Sequence, residues 1–440
     1  MSTLFTNAHV VTMDDGGAEH SGGWLLVDDG LVQDVGSGPR PEADETYDLG
    51  GGVVTPGLIN THHHLWQNLT RARAQEENLF GWLQTLYPVW AAIDEEAEYA
   101  AARCGLAELA LSGCTTVFDH HYLFPPGRQG LLEAEIRAAR ELGVRIVASR
   151  GSMDLGESDG GLPPDSIVEE RDEVLSATEA AAGLADGAQV EIAVAPCSPF
   201  SVTKELMRES AELARRLGLR LHTHLAETVE EEEFAREKFG CTPVEYVAEL
   251  GWLAEDVWCA HCVHLSRDDV AKFGEHDVGV AHCPSSNMRL GAGLAPVREL
   301  LDAGVRVGLG VDGSASNERG DLFLEVKQAL LVARARGGPK ALTARDAIRL
   351  GTRGSASVLG RDDIGQLARS KRADFAVWRT DGLELGGASD PVAGLVFAGP
   401  HRVDRLYVGG EEVVRDGHLV RAEEDEIARE QRRHAERFAA

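Results

Sequence analysis

The sequence predicts an α/β protein: a parallel (β/α)8 barrel of the TIM type, joined to a small β-sandwich formed from both termini. Three observations predict it. Eight short apolar runs alternate with helical stretches through the middle of the 440-residue chain. The two ends instead alternate apolar and polar residues in short runs broken by glycine and aspartate. Histidines and an aspartate gather where the eight apolar runs finish, and in such barrels the chemistry sits at the C-terminal ends of the strands.

Residues 1–53 contain "NAHVVTMD" and "GWLLVDDGLVQDVG", the rhythm of small antiparallel strands. The same rhythm returns from residue 366 in "ADFAVW" and "HRVDRLYVGGEEVVRDG", so residues 1–53 plus 366–420 are expected to form the sandwich. The barrel then occupies residues 54–365. Its strands read "VVTPGLIN", "CTTVFDH", "VRIVASRGS", "VEIAVAPCS", "LRLHTHLAE", "VWCAHCVHL", "VGVAHCPSS" and "VRVGLGVDG". Helices lie between them. Asp94–Ser112 opens on an aspartate start signal and is followed by Gly113; Asp321–Arg336 stops at a glycine pair. A doubly wound open sheet is the alternative. Eight repeated units favour closure, and no glycine-rich dinucleotide fingerprint follows the first strand. Residues 421–440 carry the charged run "EEDEIAREQRRHAERFAA", expected as a C-terminal helix that covers the surface and stays solvated.

Composition narrows the partners. Forty-three lysines and arginines against 72 aspartates and glutamates leave a formal charge of -29, which repels nucleic-acid phosphates and anionic membranes. A small neutral base is not excluded. The seven cysteines are an odd number scattered through apolar segments, which points to reduced thiols and a cytoplasmic setting. "CAHC" has two-residue metal spacing but no second pair. The opening "MSTLFTNAHVVTMDD" lacks the charged head and apolar stretch of a signal peptide, and no window approaches the roughly 18 apolar residues of a spanning helix. A homo-oligomer is the base-rate expectation.

The strand ends carry the chemistry. The first ends in His62, His63 and His64; the fifth carries His222 and His224, with Glu227 three residues on. The sixth carries His261, the seventh His282 and the eighth Asp312. Strand alternation points His62 and His64 the same way and His63 the other, so two of the three can share one ion. Buried ionisable groups are costly unless paired or metal-bound, which makes so many converging donors a metal site. Imidazoles with one carboxylate favour zinc, with iron or manganese as alternatives. The third and fourth strands contain no lysine that could bridge a second ion, so one metal is expected.

At these residues the chain resembles the amidohydrolase superfamily, in its nucleobase- and triazine-deaminating branch. The matching segments are "PGLINTHHHL", "GCTTVFDHHYLFP", "LHTHLAET", "AHCVHL", "AHCPSSNMRLGAGLAPV" and "VGLGVDGSASN", in an order that spans nearly the whole chain. The resemblance implies that His62, His64, His224 and Asp312 hold one Zn2+, or iron. It implies that Glu227, His261 and Asp312 handle protons around the attacking water, that Gln67 binds the base, and that His120 and Cys197 line the pocket. It also implies a small heterocyclic substrate and hydrolytic deamination. "SRGSMDLGESDGGLPPDS" and "APCSPFSVT" resemble members that turn 8-oxoguanine into urate and ammonia. Alternatives within the branch are amino- or chlorohydrolysis of an s-triazine, or deamination of guanine or isocytosine. "APCSPF", where adenosine-type members have a histidine after Ala-Pro, argues against a nucleoside substrate. A catalytically silent scaffold would have lost ligands that this chain retains.

Some residues keep two readings. Trp66, Trp82 and Trp90 either pack the core of the first long loop or line a flat aromatic substrate. The acid-rich "ETVEEEEFARE" that begins at Glu227 is expected to be an exposed helix face. His121 and His264 are expected to be structural, and Asn317 to shape the loop after Asp312.

Overall fold

Gly57 divides the first apolar run between two sheets. In the computed structural model, which describes residues 1–399 and 402–439, Val53–Pro56 pairs with the terminal strands Thr3–Val11 and Phe375–Trp378. Leu58–Asn60 starts the barrel. A Cβ on Gly57 would stand 2.3 Å from the Thr115 side chain, so only glycine lets the chain change sheets at this point. "VVTPGLIN", expected as one barrel strand, therefore serves two structures.

The barrel strands are β1 (Leu58–Asn60), β2 (Cys114–Asp119), β3 (Arg145–Ser152), β4 (Val190–Pro196), β5 (Arg220–Leu225), β6 (Val257–His261), β7 (Gly279–His282) and β8 (Arg306–Leu309). All pairings are parallel, and β8 returns to β1 through Leu309 and Asn60, closing the barrel. Below the histidines its interior is filled by Ile59, Phe118, Val147 and Trp258 with small alanines between them. That layer is a packed floor, and it confines polar chemistry to the rim above.

The two β-rich ends join in a nine-stranded sheet that includes Thr3–Val11, Glu19–Asp28 and Leu31–Gly36 from one terminus and Phe375–Trp378, Arg405–Val408 and Glu411–Arg415 from the other. Phe5 packs edge-on against Phe375 and Tyr407, with ring centroids 5.0 Å away in both cases. Arg145 of β3 reaches out of the barrel to Asp374 at 2.9 Å, a buried ion pair that ties barrel to sheet.

Helix starts follow their caps. Asp94 accepts the Ala97 N–H ahead of helix Glu95–Leu111, and Asp321 accepts the Leu324 N–H ahead of Leu322–Gly337. The C-terminal helix, Glu424–Ala435, differs from the solvated cover expected of it. Ile427, Gln431 and His434 are buried, and Gln431 Nε2 donates to the Asn68 carbonyl at 2.7 Å. The helix thus braces the short 3-10 turn Leu65–Thr70 that follows the triple histidine. Its charges occupy the other faces, so composition alone gave no hint of the docking.

Candidate active site

The hydrogen bonds of the buried imidazoles set their tautomers, and the tautomers set the chemistry. His222 Nδ1–H donates to the Trp258 carbonyl at 3.0 Å, which leaves its Nε2 as an acceptor for His62 Nδ1–H, also at 3.0 Å. His62 Nε2 is then a bare lone pair, fully buried and without a hydrogen-bond partner. His64 Nδ1–H donates to the His120 carbonyl at 2.8 Å, and His224 Nδ1–H to the Cys197 carbonyl at 2.7 Å. Their Nε2 atoms therefore confront each other, lone pair to lone pair, 3.0 Å apart. Asp312 Oδ1 lies 3.4 Å from His62 Nε2 and 3.3 Å from His64 Nε2.

Lone pairs and a carboxylate oxygen brought this close at one rim repel each other unless a cation lies among them. The residues thus fit a metal ion, and imidazole with carboxylate donors suits zinc. Burial and the neighbouring imidazoles hold His64 and His224 well below the ordinary histidine range, so both are neutral and ready to ligate at neutral pH. The second partner of each donor is fixed by a backbone carbonyl or a histidine, which orients the ring.

Strain marks the same rim. His261 at φ 71° and Asp312 at φ 64° both adopt left-handed backbone, which costs on the order of 1–3 kcal/mol per non-glycine residue and collects at functional sites. Each is over-determined by its partners. Asp312 accepts from Ser286 Oγ at 2.6 Å, Ser316 Oγ at 3.2 Å and the Gly313 N–H at 2.6 Å. His261 Nδ1–H donates to Asn287 Oδ1 at 2.8 Å, leaving Nε2 to face Glu227 Oε2 at 3.5 Å and Asp312 Oδ2 at 3.9 Å.

The two carboxylates are driven apart electrostatically. Burial, Asp312 and Glu231 push Glu227 well above the carboxylate range. Burial would raise Asp312 too, yet that carboxyl lies well below its usual value, and Ser286 Oγ, Ser316 Oγ and the Gly313 N–H all donate to it. One carboxyl pushed up beside one pushed down is the arrangement from which acid and base roles follow. His261, lowered to about 4 chiefly by burial, is neutral.

These groups border one cavity at the barrel mouth. Gln67 and Cys197 line it; so do Trp82, Tyr87, Tyr122 and Phe200, most of which the sequence did not single out. Trp82 Nε1 is held by the Ala315 carbonyl at 3.2 Å, whereas Trp66 and Trp90 belong to the core behind it. A Cβ on Gly313 would come within 1.9 Å of Gln67 Oε1, so that glycine makes room for the glutamine. Cys197 is a neutral thiol, pushed up to about 12 mainly by burial, which disfavours a nucleophilic role. His120 does not border the cavity. It packs beside His62, His64 and His224, its ring centroid 4.7 Å from that of His224, with Nε2–H on the Ala195 carbonyl at 2.9 Å. Tyr122 and Phe200 lie inside the segments "GCTTVFDHHYLFP" and "APCSPFSVT", and Tyr87 lies in the first long loop; all three were missed because an aromatic residue there reads equally well as core.

A second buried cluster lies alongside. His121 Nδ1 is 2.6 Å from Glu135 Oε1, and Glu98 lies 3.8 Å away on the same nitrogen. His121 Nε2–H is committed to the Leu123 carbonyl, so a proton on Glu135 closes the short contact. Burial pushes Glu98, Glu135 and Asp119 well up, which keeps this acidic nest largely uncharged. Asp119 Oδ1 accepts the Leu65 N–H at 2.7 Å and so fixes the turn just after His64.

Residues 53–413 match the Amidohydrolase family. The chain is 47% identical over 409 residues to the 8-oxoguanine deaminase of Pseudomonas aeruginosa, covering 91% of each chain. It is 37% identical to an isoxanthopterin deaminase from an unknown prokaryotic organism, covering 98% of this chain and 96% of that one. Among solved structures, the atrazine chlorohydrolase of Arthrobacter aurescens TC1 complexed with zinc superposes with a TM-score of 0.94 at 34% identity, covering 98% of this chain and 100% of that chain. This chain belongs to the amidohydrolase family, and it is a hydrolytic deaminase of that family acting on C–N bonds.

Proposed function

We propose that the chain deaminates 8-oxoguanine to urate and ammonia with one zinc ion held by His62, His64, His224 and Asp312. The observation that carries the reading is the gathering of imidazole lone pairs and Asp312 beside Glu227 and His261 on one cavity with Gln67 at its wall, in a chain 47% identical to a named 8-oxoguanine deaminase. A zinc ion bound there supplies Lewis acidity and lowers the pKa of water from 15.7 to about 7.

The residues divide the remaining work. The Gln67 carboxamide, with a buried Oε1 that has no partner, is free to meet donors on the edge of the base. Glu227 gives its proton to the ring nitrogen beside C2, which leaves C2 open to attack. Asp312 takes a proton from the attacking water, and the bare Nε2 of His261 accepts a hydrogen bond from the same oxygen. A C–O bond forms at C2. Asp312 then returns its proton to the exocyclic nitrogen, the C–N bond breaks and ammonia leaves, and the C2 hydroxyl gives its remaining proton back to Glu227 as the C2 carbonyl forms. One water enters and one ammonia departs, so atoms and charge balance.

The test is ammonia release by zinc-loaded protein from 8-oxoguanine, with guanine, isocytosine, isoxanthopterin and an alkylamino-s-triazine alongside. Release from 8-oxoguanine with stoichiometric urate, at a kcat/KM at least tenfold above the others, is expected. Faster turnover of the triazine or the pterin would retain the residue roles and replace the substrate.

A further inference from the structure

The acid-rich run after Glu227, expected to be an exposed helix face, contains a glutamate with no exposure at all. Glu231 is 0% exposed. Its Oε1 accepts the Ala226 N–H at 2.9 Å and its Oε2 the Glu227 N–H at 2.8 Å. It is the third residue of helix Val229–Phe239, whose N-cap, Thr228, makes no side-chain capping bond. A third-position glutamate in a capping box reaches back to the N-cap N–H. This one passes over Thr228 and grips the two residues before it.

That grip falls on the loop that aims Glu227. Ala226 adopts φ 52°, and its carbonyl accepts the N–H groups of Val263 and His264 at 2.9 Å each. The peptide is therefore held on one side by Glu231 and on the other by the turn that carries His261. Nothing comparable restrains the Glu227 side chain: Oε1 is buried without a hydrogen-bond partner, and Oε2 stands 3.5 Å from His261. The position of its carboxyl must come from its backbone. We propose that Glu231 is a positioning residue for the reaction, clamping the backbone of residues 226 and 227 so that Glu227 meets the substrate ring beside His261. The inference rests on the proton-donor role of Glu227.

A mere helix cap would cost stability; a positioning clamp costs turnover in a protein that still folds and holds its metal. Misplacement of about 1 Å can cost on the order of 10²-fold in rate. With 8-oxoguanine as substrate, Glu231→Ala should lower kcat by about 10- to 100-fold, with KM within about twofold of the parent and zinc content unchanged. Glu231→Gln keeps one acceptor and should fall between the two, and it carries the comparison should Glu231→Ala fail to fold. The deciding measurement is the cycle with Glu227→Gln, read from residual turnover at high enzyme concentration. A residue acting through Glu227 adds no more than about a twofold loss to Glu227→Gln, whereas an independent effect multiplies. An unchanged kcat in both Glu231 variants, loss of zinc, or multiplicative losses would overturn the clamp while leaving the role of Glu227 intact. Near-normal turnover by Glu227→Gln alone would instead remove that role, and the clamp with it.

Discussion

Replacing Glu227 by glutamine removes one transferable proton and almost nothing else. The side chain is buried, its Oε1 has no hydrogen-bond partner, and its oxygens belong to neither group of converging metal donors at the rim. Glutamine preserves the shape and an N–H that can still point at a ring nitrogen, but it cannot release that hydrogen. Positioned proton transfer is worth about 10²–10⁴-fold, or roughly 2.7–5.4 kcal/mol of barrier at 1.36 kcal/mol per decade. Burial, Asp312 and Glu231 all favour the neutral form of this carboxyl, so the neutral amide restores no lost charge pairing and adds no folding cost. Three readouts should separate: kcat falls 10²- to 10⁴-fold by the above range, zinc measured by mass spectrometry stays near one per chain, and the thermal midpoint holds or rises. A kcat within about threefold of the parent would refute the donor assignment. Zinc loss would show that the carboxyl supports the metal instead.

Three further outcomes are expected. Asp374→Ala strands Arg145, 6% exposed, without its carboxylate, and breaking such a buried pair costs about 3–5 kcal/mol, measurable by denaturant unfolding. Glu98→Gln should remove a pH-dependent penalty. The folded state raises this carboxyl well above 4.5, so the native protein binds a proton that the unfolded chain has released, and stability falls as pH climbs above 4.5. The variant should therefore match the parent near pH 4 and gain on it progressively towards pH 8, as followed by thermal midpoints; equal slopes would contradict a neutral Glu98. Chelating the metal should destabilise the fold, because a ligand present at about 1,000 times its Kd contributes about 4.1 kcal/mol. At about 2.1 cal/mol/K per residue over 440 residues that is a drop of about 4 °C in Tm, restored by added zinc.

Barrel closure and the metal rim were legible in the chain because both rest on local order. His62 and His64 follow β1 by two and four residues and both reach Asp312 Oδ1, and the histidines and Asp312 lie at or just past strand ends that meet at the same rim. Any sequence with those runs in that order brings these donors together, whatever surrounds them. The cavity wall was less legible. Tyr122 follows β2 and Phe200 follows β4, and they share a wall with Trp82 only because loops of different length fold over the barrel mouth. His120 shows the converse: expected at the pocket wall, it packs beside His64 and His224 and does not border the cavity.

Charge patterning misled in two places, and for the same reason. The run that starts at Glu227 and the C-terminal helix both read as solvated because most of their residues are charged. A helix has several faces, however, and one buried position in either segment suffices for a specific contact. Glu231 finds two backbone N–H donors, and Gln431 finds the Asn68 carbonyl. Residue type and spacing thus settle which groups can bind a metal or carry a proton and which strand each one ends. Which carboxyl is protonated, which tautomer each histidine holds and which glutamate is buried depend on burial and on partners from distant segments, so they arise only once the barrel has closed.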